Sequence, residues 1–160
     1  MPRVAFDVHT VLPPESVLAM LTDFSARRRK LWPTLSPELY EVYEVGTAAA
    51  DVKEGSLRPT VMWERNRYDW SVPDRVRWTA CASNYCKPGS FTETVVQRAA
   101  DGGSDLHVEW SRTGVGLKGN MLIALVVLTR GAIIRRKVFE HAFDRALQNA
   151  VNLNSSQTPQ

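Results

Sequence analysis

Residues 117–153, LKGNMLIALVVLTRGAIIRRKVFEHAFDRALQNAVNL, are the only long segment of the chain with helical periodicity. From Leu128 onward, a stripe of positions recurs in alternating steps of four and three residues, which places them on one side of an α-helix. Its members are Leu128, Ala132, Arg135, Phe139, Ala142 and Ala146. The spacing therefore predicts an amphipathic helix whose stripe packs on a core formed by the rest of the chain.

Arg135 is the one charged member of this stripe. An arginine side chain stays protonated and is seldom buried without a partner. We therefore expect Arg135 to meet a carboxylate, either Glu93 or Glu64, or an anionic group of a ligand.

The first half of the segment, residues 121–134, is apolar almost all round. A helix that spans a bilayer needs about 20 apolar residues, so this shorter run does not predict a transmembrane segment. Two interpretations remain open. The run is either a helix half covered by loops, or an exposed apolar patch that contacts a protein partner or, peripherally, a membrane surface.

The composition of the 160 residues predicts one domain, which we place at residues 1–153, followed by a disordered tail at 154–160. The net charge of +3 is spread along the chain, apart from the run 27–30, which is typical of a solvated helix face. Cys81 and Cys86 are too few for a disulfide framework or a zinc site. They indicate reduced thiols in a cytoplasmic protein, and we expect no metal and no cofactor.

The remainder of the chain predicts a strand at residues 3–12, two short helices after Pro13 and Ser25, and then six strands. The six strands are expected at 39–45, 50–54, 61–71, 75–83, 91–99 and 106–113. Consecutive strands with short links favour one antiparallel sheet, so the fold class is α+β, closed by the long C-terminal helix.

Turn residues suggest how neighbouring strands pair. A two-residue turn at 102–103 would place Val95 opposite Trp110 and Glu93 opposite Arg112. The loop at 72–74 would place Tyr68 opposite Trp78, and the same logic across the next loop puts Ala82 near Phe91.

These registers predict one aromatic-rich sheet face that also carries polar side chains, which favours a cavity between sheet and helix over a dry core. The predicted face contains Met62, Glu64, Asn66, Tyr68, Trp70, Val76, Trp78, Ala80, Phe91, Glu93, Val95, Gln97, Val108, Trp110 and Arg112.

The order of strand, two short helices, six-stranded meander and long C-terminal helix resembles the START-like, or SRPBCC, superfamily with its helix-grip fold. The strings DFSARRRKLWP, VMWERNRYDWS and DRVRWTACASN are similar as well, and the resemblance covers nearly the whole chain. It implies a deep apolar cavity that binds lipids, sterols, polyketides or plant hormones. Some members resemble polyketide cyclases and aromatases. The resemblance supplies no catalytic motif and no ligand residue that can be assigned to a position here, because fold alone does not give function.

The main hypothesis is a binding protein for a small hydrophobic or amphipathic ligand, lipid-like or polyketide-like. The alternative is a cyclase or dehydratase in which Glu64 or Glu93 is the general base and Arg112 or Arg135 stabilises an enolate. Glu64, Glu93, Arg112 and Arg135 are equally compatible with two structural ion pairs that tie helix to sheet. The expected ligand-binding residues are Tyr68, Trp70, Trp78, Phe91, Glu93, Trp110, Arg112, Leu128, Arg135 and Phe139.

Other classes of function find little support. The segment 114–119, GVGLKG, lacks the spacing of a phosphate-binding loop. Nucleic-acid binding is not expected, because the aromatic residues are placed inward and the basic residues are not clustered beside them. A third hypothesis is a protein-interaction role for residues 121–134, and the chain is expected to be a monomer or a homodimer.

Overall fold

One seven-stranded antiparallel sheet, in the order β1-β7-β6-β5-β4-β3-β2, forms the frame of the molecule. The computed structural model of the chain describes residues 1–156, with side chains described to residue 149. Its elements are β1 (Arg3–Thr10), α1 (Pro14–Thr22), α2 (Arg28–Leu31), a 3-10 turn (Pro37–Leu39), β2 (Glu41–Val45), β3 (Ala49–Ser56), β4 (Met62–Asp69), β5 (Arg75–Ser83), β6 (Phe91–Arg98), β7 (Ser104–Ser111), α3 (Gly116–Leu128), α4 (Ala132–Ile134), a π-helical segment (Arg135–Glu140) and α5 (His141–Ser156).

The predicted element order and the α+β helix-grip architecture are confirmed, with one difference at the C-terminal end. There, α4, the π-helical segment and α5 run on from one another and are called the C-terminal helix, residues 132–156. The tail expected at 154–160 falls outside the described residues after Ser156, where the description of α5 stops.

The register between β4 and β5 is as predicted, with Tyr68 opposite Trp78. The two registers of β6 are wrong. Val95 lies opposite His107, three residues from the expected Trp110, and Phe91 lies opposite Thr79, three residues from the expected Ala82. An odd shift turns every side chain of a strand to the other face of the sheet. Because β6 is shifted against both neighbours, only β6 is inverted relative to the prediction.

The turn between β6 and β7 explains this inversion. The amide of Gly102 donates to the carbonyl of Ala99 at 3.0 Å, and the amide of Ala99 donates to the carbonyl of Gly103 at 3.0 Å. Gly102 has φ +87°, so the loop is a three-residue turn that closes on one left-handed glycine. The pair Gly-Gly had favoured a two-residue turn, in which both glycines would be central.

The face of the sheet that looks toward the helices is called the inner face. In the central strands it carries Tyr68, Val76, Trp78, Thr92, Thr94, Val96, Leu106, Val108 and Trp110, together with Val4, Phe6 and Val8 of β1. Most of these side chains are buried and form one core with Leu21, Trp32, Phe139 and Phe143.

The segment 117–153 is not one continuous helix. α3 ends at Leu128, and the axes of α3 and of the helix at Ala132–Asn149 differ by 87°. Arg130 (φ +49°) and Gly131 (φ +77°) form the corner in left-handed conformations. No helix in the described part of the chain is long and apolar enough to cross a membrane alone, and these two meet that criterion only when they are taken together.

The predicted buried stripe is correct from Phe139 onward and wrong before it. Phe139 and Ala142 are buried, with Phe143 beside them, whereas Leu128 is 81% exposed. The prediction of this stripe requires an unbroken helix of 3.6 residues per turn. The corner at 129–131 and the wider π-helical turn at Arg135–Glu140 each change the rotational phase, so residues before them point elsewhere.

Candidate functional site

A buried ion pair marks one end of the inner face. Glu64, in β4, lies beside a bulge in the pairing with β5, and Arg112 follows the last residue of β7. The Nε of Arg112 donates to Glu64 Oε1 at 2.8 Å, and Nη2 donates to Oε2 at 3.2 Å. The side chains of Glu64 and Arg112 are 10% and 3% exposed, respectively. A pair with two parallel hydrogen bonds is both strong and directional.

Three further side chains donate to the same carboxylate. The hydroxyl of Tyr85 donates to Glu64 Oε1 at 2.5 Å, the thiol of Cys86 donates at 3.2 Å, and the Nδ2 of Asn66 donates to Oε2 at 3.2 Å. Burial alone would raise the pKa of Glu64, but the charge of Arg112 and the hydrogen bonds from Tyr85 and Arg112 outweigh it and lower that pKa. Glu64 is therefore held as a carboxylate.

The pKa values of two neighbours of this carboxylate, Tyr85 and Cys86, are raised. Burial, and then the charge of Glu64, raise the pKa of Tyr85 well above its ordinary value. The same two causes raise the pKa of the Cys86 thiol to about 11. Both groups keep their protons near neutral pH, so the cluster has one negative and one positive charge and is neutral as a whole.

Two polar atoms on the inner face have no hydrogen-bond partner among the described residues. They are Oδ1 of Asn66 and Oγ1 of Thr94, and the residues are 2% and 0% exposed. The bond from Asn66 Nδ2 to Glu64 fixes the orientation of the amide, which leaves Oδ1 facing away from the carboxylate. Leaving a buried polar group unsatisfied costs about 1–3 kcal/mol, so both atoms favour a partner that enters the interior.

A second buried polar cluster lies where α2 meets the sheet. Arg28 donates from Nε to Glu54 at 2.5 Å and from Nη2 to the hydroxyl of Tyr68 at 3.0 Å. Its guanidinium also lies over the rings of Phe24 and Trp32 at 4.6 and 5.6 Å from their centroids. Burial would lower the pKa of Arg28, but the charge of Glu54 outweighs it and raises that pKa. The cluster fastens α2 to the sheet.

Aromatic rings line the inner face between the two clusters. Tyr68 and Trp78 are stacked at 5.5 Å between centroids, and the Arg112 guanidinium lies 5.2 Å from the centroid of Trp110. Phe139 closes the opposite side and meets Phe6 edge to face at 6.0 Å. Trp78 is only partly buried, so solvent reaches this aromatic lining at the Trp78 indole.

The structure brings six of the predicted site residues to this interior: Glu64, Tyr68, Trp78, Trp110, Arg112 and Phe139. Trp70 lies just after β4, partly buried, with its ring 6.0 Å from that of Phe24. It therefore borders the second cluster.

Glu93 and Phe91 do not face the interior. Since β6 is inverted relative to the prediction, Glu93 lies on the outer face, where it meets Arg77 at 3.2 Å and Arg75 at 3.6 Å. The ring of Phe91 lies under the guanidinium of Arg77, 3.8 Å from the centroid. The predicted placement of both residues is wrong, and so is the expected pairing of Glu93 with Arg112.

Arg135 and Leu128 do not belong to the buried interior, although Nε of Arg135 is itself buried. The side chain of Arg135 is 43% exposed and meets Glu140 at 3.4 Å, so the expected buried contact with Glu64 or Glu93 is wrong. Glu64, one of the two carboxylates expected to meet Arg135, is instead paired with Arg112. Leu128 ends α3 at the surface, on the far side of the corner.

Sequence reasoning missed Arg28, Glu54 and Tyr85. The run 27–30 predicts a solvated face, yet Arg28 is 5% exposed while its neighbours are at the surface. The alternation Ala50, Val52, Glu54 in β3 puts Glu54 on the same face as two buried residues, and that was a readable signal. Tyr85 follows a bend after β5, and we find no sequence pattern that would have indicated its position.

The interior is closed where the core is densest. Val76, Thr94 and Val108, in the middle of the inner face, have no exposed surface. Two open depressions of the described surface lie elsewhere. One, on the outer face, is lined by Asp7, His9, Gln97, Asp105 and His107. No group of three potential metal ligands comes together within the described residues.

Comparisons with known proteins support the fold. No protein-family model matches the sequence, and no curated protein matches it significantly. Among solved structures, a protein of Thermus thermophilus superimposes with a TM-score of 0.74 at 14% identity, over 92% of this chain and 99% of the other. The Zhui aromatase/cyclase of Streptomyces superimposes with a TM-score of 0.71 at 13% identity, over 91% of this chain and 95% of the other. A START superfamily protein of Mycobacterium smegmatis superimposes with a TM-score of 0.66 at 10% identity, over 94% of this chain and 98% of the other. The chain therefore has the START-like helix-grip fold.

Proposed function

We propose that the protein binds a small amphipathic ligand between the sheet and the C-terminal helix. The observation that carries the proposal is two buried, unpartnered polar atoms on the inner face. Asn66 Oδ1 lies beside the Glu64–Arg112 ion pair, and Thr94 Oγ1 lies beyond the row of Tyr68, Trp78 and Thr92. The fold supports the same conclusion, since this architecture holds hydrophobic ligands in other proteins. One polar group of the ligand would lie at Asn66 and a second at Thr94, with the apolar body between them along Trp78, Trp110 and Phe139.

The charges at the site favour a neutral polar end. Arg112 is already neutralised by Glu64 through two hydrogen bonds, so a ligand carboxylate would have to compete with a buried partner. Asn66 Oδ1 is an acceptor and needs a donor. A hydroxyl or amide N–H satisfies it, so we propose hydroxylated lipid-like or polyketide-like molecules over fatty acids.

Binding requires the interior to open, because Thr94 and its neighbours have no exposed surface. A ligand that enters from the Trp78 side would separate the C-terminal helix from the sheet near Phe139. In exchange it would satisfy the two unpartnered atoms and cover aromatic surface, at roughly 25 cal/mol for each Å² removed from water.

The test is ligand retention by native mass spectrometry, with sterols, phenolic polyketides and fatty acids offered to the purified protein. We expect hydroxylated ligands to be retained and Asn66→Leu to weaken that retention at least tenfold. Gln97→Leu, on the outer face, is the control and should bind as the wild type does. If no compound is retained, or if Asn66→Leu binds like Gln97→Leu, the proposal is wrong.

A second candidate function is a cyclase or dehydratase, favoured by the Tyr85 hydroxyl at 2.5 Å from a buried carboxylate and by the likeness to an aromatase/cyclase. Glu64 would take a proton from an acidic carbon, and Arg112 would stabilise the enolate. The lowered pKa of Glu64 makes it a weak base, which is why this candidate ranks second. Turnover of a poly-β-ketone substrate should be abolished by Glu64→Gln and unaffected by Glu93→Gln, and equal effects would exclude Glu64 as the base.

A cytoplasmic location belongs to this proposal and is supported by two free cysteines, Cys81 and Cys86. Detection of the protein in the soluble cytoplasmic fraction of its own cells would test it.

A further inference from the structure

The outward side of α3 carries an apolar surface that nothing in the described part of the chain covers. Leu117, Met121, Leu125 and Leu128 are 79%, 64%, 48% and 81% exposed, and Ala124 between them is exposed as well. These five residues are called the α3 stripe. Large exposed apolar side chains are ordinary when single, but here they recur along one side of a helix.

The stripe has a regular geometry. Its members are separated by four, three, one and three residues, so they lie within about 100° of each other around the helix axis. The stripe is about 16 Å long at 1.5 Å per residue. On the opposite side of α3, Gly119 and Ile123 are buried, and Gly119 lies against the carbonyl of Tyr85 with no room for a side chain. The helix is thus held in one orientation and cannot rotate the stripe inward.

The charged residues in the segment that carries the stripe are all positive. Residues 110–139 contain no Asp or Glu. Lys118 borders the stripe at its beginning, and Arg130 follows its end at the corner. Arg136 and Lys137 are exposed on the C-terminal helix, beyond the corner. One apolar helix face with cations at both ends is complementary to a layered surface that has anionic groups outermost and apolar chains beneath them.

We propose that α3 docks the protein on anionic lipid bilayers. Leu117, Met121 and Leu125 enter the boundary between headgroups and acyl chains, with the helix axis parallel to the membrane plane. Arg130, Arg136 and Lys137 contact lipid phosphates, whereas the Lys118 ammonium donates to the carbonyl of Val61 at 2.5 Å and adds its charge from there. The helix is too short to span the bilayer, so the contact is peripheral and reversible.

A second copy of the chain fits this surface less well. A stable dimer interface buries about 800 Å² on each partner, from some 20–30 residues, and the stripe offers five. A symmetric contact through α3 would also bring Lys118 and Arg130 of both copies close together without an acidic partner from the segment 110–139.

The test is co-sedimentation of the full chain with vesicles of phosphatidylcholine alone or with about 30% phosphatidylglycerol. We expect binding to the mixed vesicles that falls steeply between about 50 and 500 mM salt, and little binding to phosphatidylcholine. Arg136→Gln/Lys137→Gln should weaken binding about fivefold for each charge removed. Met121→Asp/Leu125→Asp should abolish it.

The control is Val42→Asp/Val72→Asp, which places the same charges at exposed valines (38% and 44%) in other parts of the molecule. It should bind vesicles nearly as the wild type does. Equal loss in both double variants, no binding of the wild type, or a dimer in light scattering that Met121→Asp/Leu125→Asp dissociates would each overturn the proposal. The measurement needs no interior ligand, so its outcome is independent of the binding function proposed above.

Discussion

Arg112 and Glu64, separated by 48 residues in sequence, form two hydrogen bonds of 2.8 and 3.2 Å on the inner face of the sheet. The pair joins the end of β7 to β4, which are not neighbouring strands. It reaches across the two strands between them, where Thr92 of β6 accepts a further bond from Arg112 Nη2 at 3.1 Å. The pair therefore ties β7 to β4 at the end of the sheet where the ligand's polar group at Asn66 would lie.

Arg112→Met should destabilise the protein strongly. The substitution leaves Glu64 buried with no counter-charge, and breaking a buried pair from one side costs about 3–5 kcal/mol. The double variant Glu64→Gln/Arg112→Met should recover part of this loss, because no charge is then stranded. Urea unfolding of the three proteins measures the differences.

Arg135→Met is the matched control. It makes the same change at a pair that is 43% exposed on both sides, so we expect a loss of less than about 1 kcal/mol. If Arg135→Met lowers the free energy of unfolding strongly and Arg112→Met lowers it only slightly, the environments assigned to the two arginines are wrong.

The stability should depend on pH through Glu64. Its pKa is lower in the folded protein than its ordinary value of 4.5, so the unfolded chain binds the proton more tightly. The contribution is fully present above about pH 4.5 and is lost as the pH falls through the folded-state pKa. Between pH 7 and pH 3, the melting temperature of the wild type should fall more than that of Glu64→Gln/Arg112→Met. Parallel curves would show that Glu64 titrates normally in the folded state.

The fold was predictable from the sequence because alternation, turn residues and element order agree with one another. The site was only partly predictable, since it depends on register. The Gly-Gly pair predicts two left-handed residues in a two-residue turn, whereas only Gly102 is left-handed and the loop has three residues. That was enough to move Phe91 and Glu93 to the outer face and Thr92 and Thr94 to the inner face.

The predicted burial of Arg135 is wrong for a similar reason. Spacing assigns a helix face only while the number of residues per turn is constant. The corner at 129–131 could be suspected from Gly131, but the π-helical turn that follows has no glycine or proline to indicate it. Arg28 was missed because its burial depends on Glu54 and Tyr68, which are distant in sequence.

Thr94→Val should stabilise the ligand-free protein and weaken ligand binding. Its hydroxyl is buried without a partner, so replacing it with a methyl group of similar size removes an unsatisfied group, worth about 1–3 kcal/mol. The matched variant Thr92→Val removes a hydroxyl that accepts from Arg112 and should destabilise. Thermal melts of both decide the point, and a lower melting temperature for Thr94→Val would show that its hydroxyl is satisfied.

Gly131→Ala tests the corner between α3 and the C-terminal helix. At φ +77°, a methyl group would lie 2.5 Å from Cδ1 of Phe6, so the variant should lose stability through both conformational strain and the clash. Gly102→Ala shares the positive φ but meets nothing within 4 Å, so it should lose less. In a continuous helix the same Gly131→Ala change would raise stability by about 1 kcal/mol, and that result would contradict the observed corner.

The central claim is that a ligand binds inside, against the inner face. Isotope-filtered nuclear Overhauser spectra of a retained ligand with the labelled protein test it most directly. The account predicts contacts from the apolar body of the ligand to the indoles of Trp78 and Trp110 and to the ring of Phe139, and from its polar end to the Asn66 amide. Contacts confined to Leu117, Met121 and Leu125 on α3, or to His9 and His107 on the outer face, would contradict it.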